Sequence, residues 1–324
     1  MFRTELNIPV SQEKITLKNP ILTIGSCFAD AMGSRLKNFK FQTLVNPFGT
    51  VYNPISLHKL LELAVLKQAL TENSYLQRND VHFNYNLHSS FSALQKEGLI
   101  RQLQTALEHT HYFITKADVL MITYGTAWVY EQKDTGEIVN NCHKQPSALF
   151  TKRLLSQQEI VDSFRTLRTL LQDIRPNLRI ILTLSPVRHI KDTLELNSVS
   201  KAILRSACYQ LSTEFSNVEY FPAYELLMDD LRDYRFYKSD MLHPSEEAEE
   251  YIWKKFTLAY FDEPTLTFIK KWADVQLDLN HKPFHLHSNA HQVFLQSLKS
   301  KLMELKDSVN VEEELQIVEK QIIN

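Results

Sequence analysis

Five short strand-like runs limit what this chain can fold into: residues 21–24, 41–45, 119–124, 178–184 and 218–221. Three of them, 21–24, 119–124 and 178–184, are largely apolar, the character of strands buried on both faces. Between the runs the apolar spacing changes to three and four residues. Leu60, Leu61, Ala64, Val65 and Leu66 line one face of a helix over 57–70. Ile160, Phe164, Leu167, Leu171 and Ile174 do the same behind the capping box Ser156-Gln157-Gln158-Glu159, and Pro176 ends that helix. Further helices are expected over 29–36, 98–110 and 199–215, and Pro244 is expected as the first residue of one over 244–260. Strands alternating with helices in this way predict an α/β fold. The expected form is a three-layer sandwich with a central, mainly parallel five-stranded sheet flanked by helices.

Residues 75–95 alternate like a hairpin or an irregular insertion. After Asp262 the strand signals stop, and Leu295, Leu298, Leu302, Leu305 and Val309 form a helical stripe. The chain therefore divides into an α/β domain over 1–262 and a helical C-terminal extension over 263–324. The stripe fits either a helix docked on its own domain or the seam of a homodimer.

With 324 residues, 44% of them hydrophobic, the chain can bury one sizeable core. A net charge of −2 and the lack of a dense Lys/Arg stripe argue against a nucleic-acid partner. No stretch approaches the roughly 20 apolar residues of a membrane span, and residues 1–14 have no apolar leader core. No membrane partner is expected. Cys27, Cys142 and Cys208 are an odd set without metal-ligand spacing. A reducing, cytoplasmic setting is expected, with no metal and no cofactor.

Only 6 glycines occur, where average usage of about 7% would give roughly twenty. Gly25, Gly49 and Gly125 each stand just beyond a strand-like run, at the sheet edge where parallel α/β folds gather ligands. Ser26 falls at the first of these turns, where the N-terminus of the following helix offers unpaired N–H groups and partial positive charge. Alone, such a serine serves equally well as a helix cap. Asp240-x-x-His243 adds what a nucleophile requires: an imidazole base, and a carboxylate to fix its tautomer. Ser26, Asp240 and His243 are the expected catalytic triad.

These residues belong to a longer pattern. Gly25-Ser26-Cys27-Phe28-Ala29, Asn46-Pro47-Phe48-Gly49-Thr50-Val51-Tyr52-Asn53-Pro54, Tyr124-Gly125-Thr126-Ala127-Trp128, Ser185-Pro186-Val187-Arg188-His189 and Asp240-Met241-Leu242-His243-Pro244 resemble the GSCFA family over residues 20–260. That family resembles the SGNH (GDSL-like) hydrolases, whose sheet is flavodoxin-like. The resemblance implies Ser26 as nucleophile and first oxyanion donor, Gly49 as second donor, and Asp240 with His243 completing the triad. The third donor is usually an Asn after the third strand, and here Gly125-Thr126-Ala127-Trp128 has none. Thr126 can donate through its hydroxyl, or Asn53 or Asn141 can reach in from a loop. Losing such a donor costs about 10²–10³ in rate.

Tyr52, Asn53, His88, Trp128, His143, Arg188 and His189 are expected to bind substrate in a wet, aromatic mouth. That suits a small polar acyl ester or an acylated carbohydrate. The expected function is ester hydrolysis through a Ser26 acyl-enzyme. The alternatives are acyl transfer to an acceptor other than water, or a non-catalytic binding module that keeps the triad. Cys27 offers a thiol in place of Ser26, although successive residues at such a turn point different ways, and burial behind it is the expected fate of Cys27. Asn141-Cys142-His143-Lys144 reads as pocket wall or solvated turn. His281, His285, His287 and His291 cluster without a nearby Cys or carboxylate partner.

Overall fold

The computed structural model describes residues 3–71 and 74–323. β1 (Ile21–Gly25) leads into α1 (Cys27–Asn38), and β2 (Thr43–Val45) into α2 (Pro54–Leu66). The hairpin β3 (Tyr75–Arg78) and β4 (Val81–Asn84) precedes α3 (Lys96–Ile114). β5 (Val119–Tyr124) is followed by β6 (Trp128–Gln132), β7 (Ile138–Val139), β8 (Phe150–Leu154) and α4 (Gln157–Ile174). Then come β9 (Arg179–Leu184), α5 (Thr193–Glu214), β10 (Val218–Phe221), the single turn α6 (Ala223–Glu225) and α7 (Glu246–Tyr260). α8 (Glu263–Leu279), α9 (Asn289–Leu305) and α10 (Glu312–Glu319) form the C-terminal part.

The central sheet has five strands in the order β10-β9-β5-β1-β2, and every pairing is parallel. β1, β5 and β9 are buried along their whole length because helices cover both faces. Successive β1 residues alternate between two cores. Ile21 packs with Phe28, Met32, Ile252 and Phe256 from α1 and α7, whereas Leu22 and Ile24 pack with Leu60, Leu61, Phe164 and Leu167 from α2 and α4. The chain leaves β1 toward β2 on one side and returns to β5 on the other. That reversal opens a crevice at the carboxyl ends of β1 and β5.

Three features differ from expectation. A second, antiparallel sheet, β7-β6-β8, fills 128–154, where no strand was expected. Its residues are mixed in polarity because one face meets solvent. α7 begins at Glu246 behind Ser245, whose hydroxyl accepts the Ala248 N–H at 3.3 Å. Pro244 therefore stands outside the helix, bridged to Tyr237. α2 starts early, at Pro54, because Asn53 caps it, and it ends at Lys67 in a left-handed turn.

The extension builds its own core from Phe268, Trp272, Val275, Leu295, Leu298, Leu302 and Leu305. The leucine stripe is thus covered by the chain's own residues. Trp272 Nε1 and Gln276 Nε2 both donate to the Asn38 carbonyl, at 2.8 and 3.0 Å, and Lys40 pairs with Glu314 at 2.6 Å. Among the described residues no helix is long and apolar enough to cross a membrane.

Candidate active site

At the β1–α1 turn Gly25 has φ 141°, and a Cβ there would lie 2.1 Å from the Thr123 carbonyl oxygen. Only glycine fits this close approach. Ser26 follows, completely buried. Its N–H donates to the Thr123 carbonyl at 3.1 Å, and its Oγ accepts the Phe28 N–H at 3.3 Å as the cap of α1. Cys27, the first helical residue, is only partly buried and lines two cavities, of about 330 and 720 Å³. Ser26 lines neither. The expected orientation of the two neighbours is therefore reversed. Burial and the Asp30 carboxylate push the Cys27 thiol up, while the N–H groups of Cys27 and Phe28 and the charge of Lys201 act against them.

Asp240 and His243 are joined across a tight turn. Asp240 Oδ1 accepts the Leu242 and His243 N–H groups at 2.8 and 3.0 Å, and Oδ2 meets His243 Nδ1 at 2.7 Å. The N–H of His243 first, then that of Leu242 and the ring, hold the Asp240 carboxyl down at about 2. With Nδ1 turned to a carboxylate, Nε2 is left to accept a proton. His243 lines both cavities that Cys27 lines.

Tyr52, Asn53, Thr126, Trp128, Arg188 and His189 all border the larger cavity. Asn53 is also the α2 cap, with Oδ1 2.8 Å from Ser56 N. Trp128 donates its indole N–H to the Leu196 carbonyl at 3.4 Å, and the Arg188 guanidinium lies 4.0 Å from the centre of the Tyr237 ring. His189 is held neutral, down at about 3, by burial and then by the charges of Lys201 and His243; its Nε2 has no partner.

His88 and His143 do not border it. His88 packs against Gly49, and His143 has φ 47°, stacks on Phe83 and directs Nε2 to the carbonyls of Asn84 and Leu87 at 2.9 and 3.1 Å. Asn141 accepts the His143 N–H at 2.8 Å, a loop-holding role. The expected oxyanion donors are committed elsewhere. Gly49 N–H goes to the Asn46 carbonyl at 2.8 Å, Ser26 N–H to Thr123, and the Thr126 hydroxyl sits 3.1 Å from Ser200 Oγ.

Two residues were missed. Asn140 borders the cavity with both polar atoms of its amide unpartnered. Lys201 is fully buried, with Nζ donating to the carbonyls of Gly125 and Ser185 at 2.8 and 2.7 Å, and burial holds it down at about 7. A lysine on a helix reads as solvated, so its sequence carries no signal for this position. A further cavity of about 740 Å³, bordered by Leu103, Leu107, His111 and Tyr112, contains neither Cys27 nor His243. Among the described residues no group of three or more His, Cys, Asp or Glu side chains is arranged to hold a metal ion.

Residues 20–256 match the GSCFA family, and residues 272–324 match the GSCFA domain protein C-terminal domain. This chain belongs to the GSCFA family. The extension, which lay outside the recognised pattern, is thus a GSCFA element as well. Among solved structures the chain is similar to an acetyl xylan esterase (Est2A) from the rumen bacterium Butyrivibrio proteoclasticus, at 12% identity and a TM-score of 0.34. The similarity covers 78% of this chain and 64% of that one, so the chain spans less than two thirds of its length. No curated protein matches.

In this GSCFA chain the five name-giving residues divide their work. Gly25 bends, Ser26 caps and Cys27 borders the cavity, while Phe28 and Ala29 lie on the buried side of α1.

Proposed function

We propose that this protein is an acyl-ester hydrolase whose base is His243, oriented by Asp240. The observation that carries the reading is the 2.7 Å contact between His243 Nδ1 and Asp240, beside a cavity at the sheet's reversal point. The nucleophile comes from the Ser26-Cys27 turn, where Ser26 is the residue expected from sequence. Its proton passes to His243 Nε2 as it attacks the ester carbonyl. The oxyanion then meets the N-terminus of α1, whose dipole favours negative charge. Collapse expels the alcohol, which takes the proton from His243, and water releases the acyl group by the same route in reverse.

A small polar acyl ester, such as an acetylated carbohydrate, suits the site. Tyr52 and Trp128, which border the cavity, offer flat faces for a sugar ring. The engaged N–H groups of Ser26 and Gly49 favour one second reading, a binding module that holds such a ligand without turnover. Hydrolysis of a panel of acetyl esters by wild type and His243→Ala separates the two. The hydrolase reading expects a loss of ~10²–10⁴-fold in kcat in the variant. Equal rates in both proteins, at the level of free ester breakdown, would leave only the binding module.

A further inference from the structure

Resting on the hydrolase reading, we propose that the thiol of Cys27, and not the hydroxyl of Ser26, is the nucleophile, so that the covalent intermediate is a thioester.

The two side chains have opposite fates. Ser26 Oγ is completely buried and spends its acceptor capacity on the Phe28 N–H. Its backbone N–H is fixed to the Thr123 carbonyl, so the residue is held from both ends. Reaching a substrate would mean breaking the cap and opening the turn around Gly25. Cys27 requires no such movement. It borders both cavities that His243 borders, and Thr126 and His189 line the larger one with them.

Burial and the Asp30 carboxylate push the Cys27 thiol up, so His243 must take its proton, and it is position that favours Cys27 over Ser26. Cys27 stands at position one of α1, where the N–H groups of Cys27 and Phe28 act against the upward push of burial and Asp30. A helix N-terminus stabilises a thiolate, which is the attacking species. Lys201, held down at about 7 by burial, acts in the same direction while protonated, and its Nζ is anchored to the Gly125 and Ser185 carbonyls at the ends of β5 and β9. The other cysteines differ: Cys208 is sealed in the core, and Cys142 lies outside both cavities.

In the step, the Cys27 S–H bond breaks and its proton moves to His243 Nε2. The sulfur forms a bond to the ester carbonyl carbon while the carbonyl electron pair moves to oxygen. When that pair returns, the carbon–alkoxide bond breaks and the alcohol leaves with the His243 proton. Water then attacks the thioester, giving one proton to His243, and the departing thiolate recovers it. No oxidant or reductant is involved.

The test treats the full-length protein with limiting iodoacetamide and maps the modified peptides by mass. Cys27 should alkylate faster than Cys142, and its rate should fall by at least about tenfold in His243→Ala, since the imidazole withdraws the thiol proton. In a second arm the protein is mixed with p-nitrophenyl acetate and quenched in acid. The acetyl group should map to Cys27 and be discharged by neutral hydroxylamine. Acetyl on Ser26, or alkylation of Cys27 indifferent to His243, overturns the proposal. Acetylation of Ser26 with His243-dependent turnover would remove only the thiol. Loss of any His243 effect on ester turnover would instead remove the hydrolase reading, while the alkylation arm still reports on Cys27.

Discussion

Asp240 grips His243 twice, through the backbone N–H at 3.0 Å from Oδ1 and through ring Nδ1 at 2.7 Å from Oδ2. The first contact shapes the turn and the second orients the imidazole. An asparagine keeps an oxygen for the backbone N–H but loses the charge and presents an amide to the ring. Asp240→Asn should therefore leave the melting temperature near that of wild type while lowering kcat by ~10²–10⁴-fold. Ester kinetics beside thermal denaturation checks both halves. Unchanged kcat would show that the carboxylate only shapes the loop.

Ser26 caps α1 through the Phe28 N–H. Ser26→Ala should lower the unfolding free energy by about 1 kcal/mol, the usual cost of an N-cap hydroxyl. Urea denaturation measures it. A loss near zero would show that the hydroxyl is not engaged in the cap.

Gly25 tolerates no side chain, since its Cβ would meet the Thr123 oxygen at 2.1 Å. Gly25→Ala should destabilise by roughly 1–3 kcal/mol from backbone strain alone, with the steric contact adding to it. The same unfolding experiment reads this. An alanine variant as stable as wild type would contradict the turn geometry.

His58 gives the molecule a pH signature away from the site. It is fully buried between Ser163 Oγ at 2.8 Å and Tyr124 OH at 2.7 Å, and burial holds it down at about 3 from an ordinary 6.5. Between those values the unfolded histidine binds a proton that the folded one does not. This contribution to stability is complete above about 6.5 and is lost as pH falls toward about 3. His189, held at about 3 by burial, Lys201 and His243, acts in the same direction. Chemical denaturation at a series of pH values should show this acid-side loss, and His58→Gln should make it shallower. An identical slope in the variant would refute the assignment.

The core strands were legible because β1, β5 and β9 are buried on both faces, which leaves continuous apolar runs in the sequence. β6 was not, because Trp128-Val129-Tyr130-Glu131-Gln132 has only Val129 fully buried. At the site, Asp240 and His243 were legible from a three-residue spacing that a local turn satisfies by itself. Which of Ser26 and Cys27 faces the cavity was not. It depends on the positive φ of Gly25 and on the hydrogen bond from Ser26 to Thr123, a partner nearly a hundred residues away in sequence. His143 misled for a related reason. Its ring satisfies two carbonyls of the β4 loop, a need set by tertiary placement.

Trp272 anchors the C-terminal helices to the end of α1 and is almost fully buried. Trp272→Ala should cost about 3–5 kcal/mol, a large aromatic truncated in a packed site. Limited proteolysis should then cut first between α8 and α10, leaving the α/β domain intact. Digestion as slow as in wild type would show that the extension is held by other contacts.

On the proposed function, His243, set by Asp240, drives formation of an acyl-enzyme at the β1–α1 turn. The most direct measurement of that step is the intact mass of the protein, quenched in acid after brief mixing with a chromogenic acetyl ester, for wild type and His243→Ala side by side. One added acetyl group is expected in the wild type, confined to the Ser26-Cys27 turn, and none in the variant. No adduct in either protein, or the same adduct in both, would contradict it.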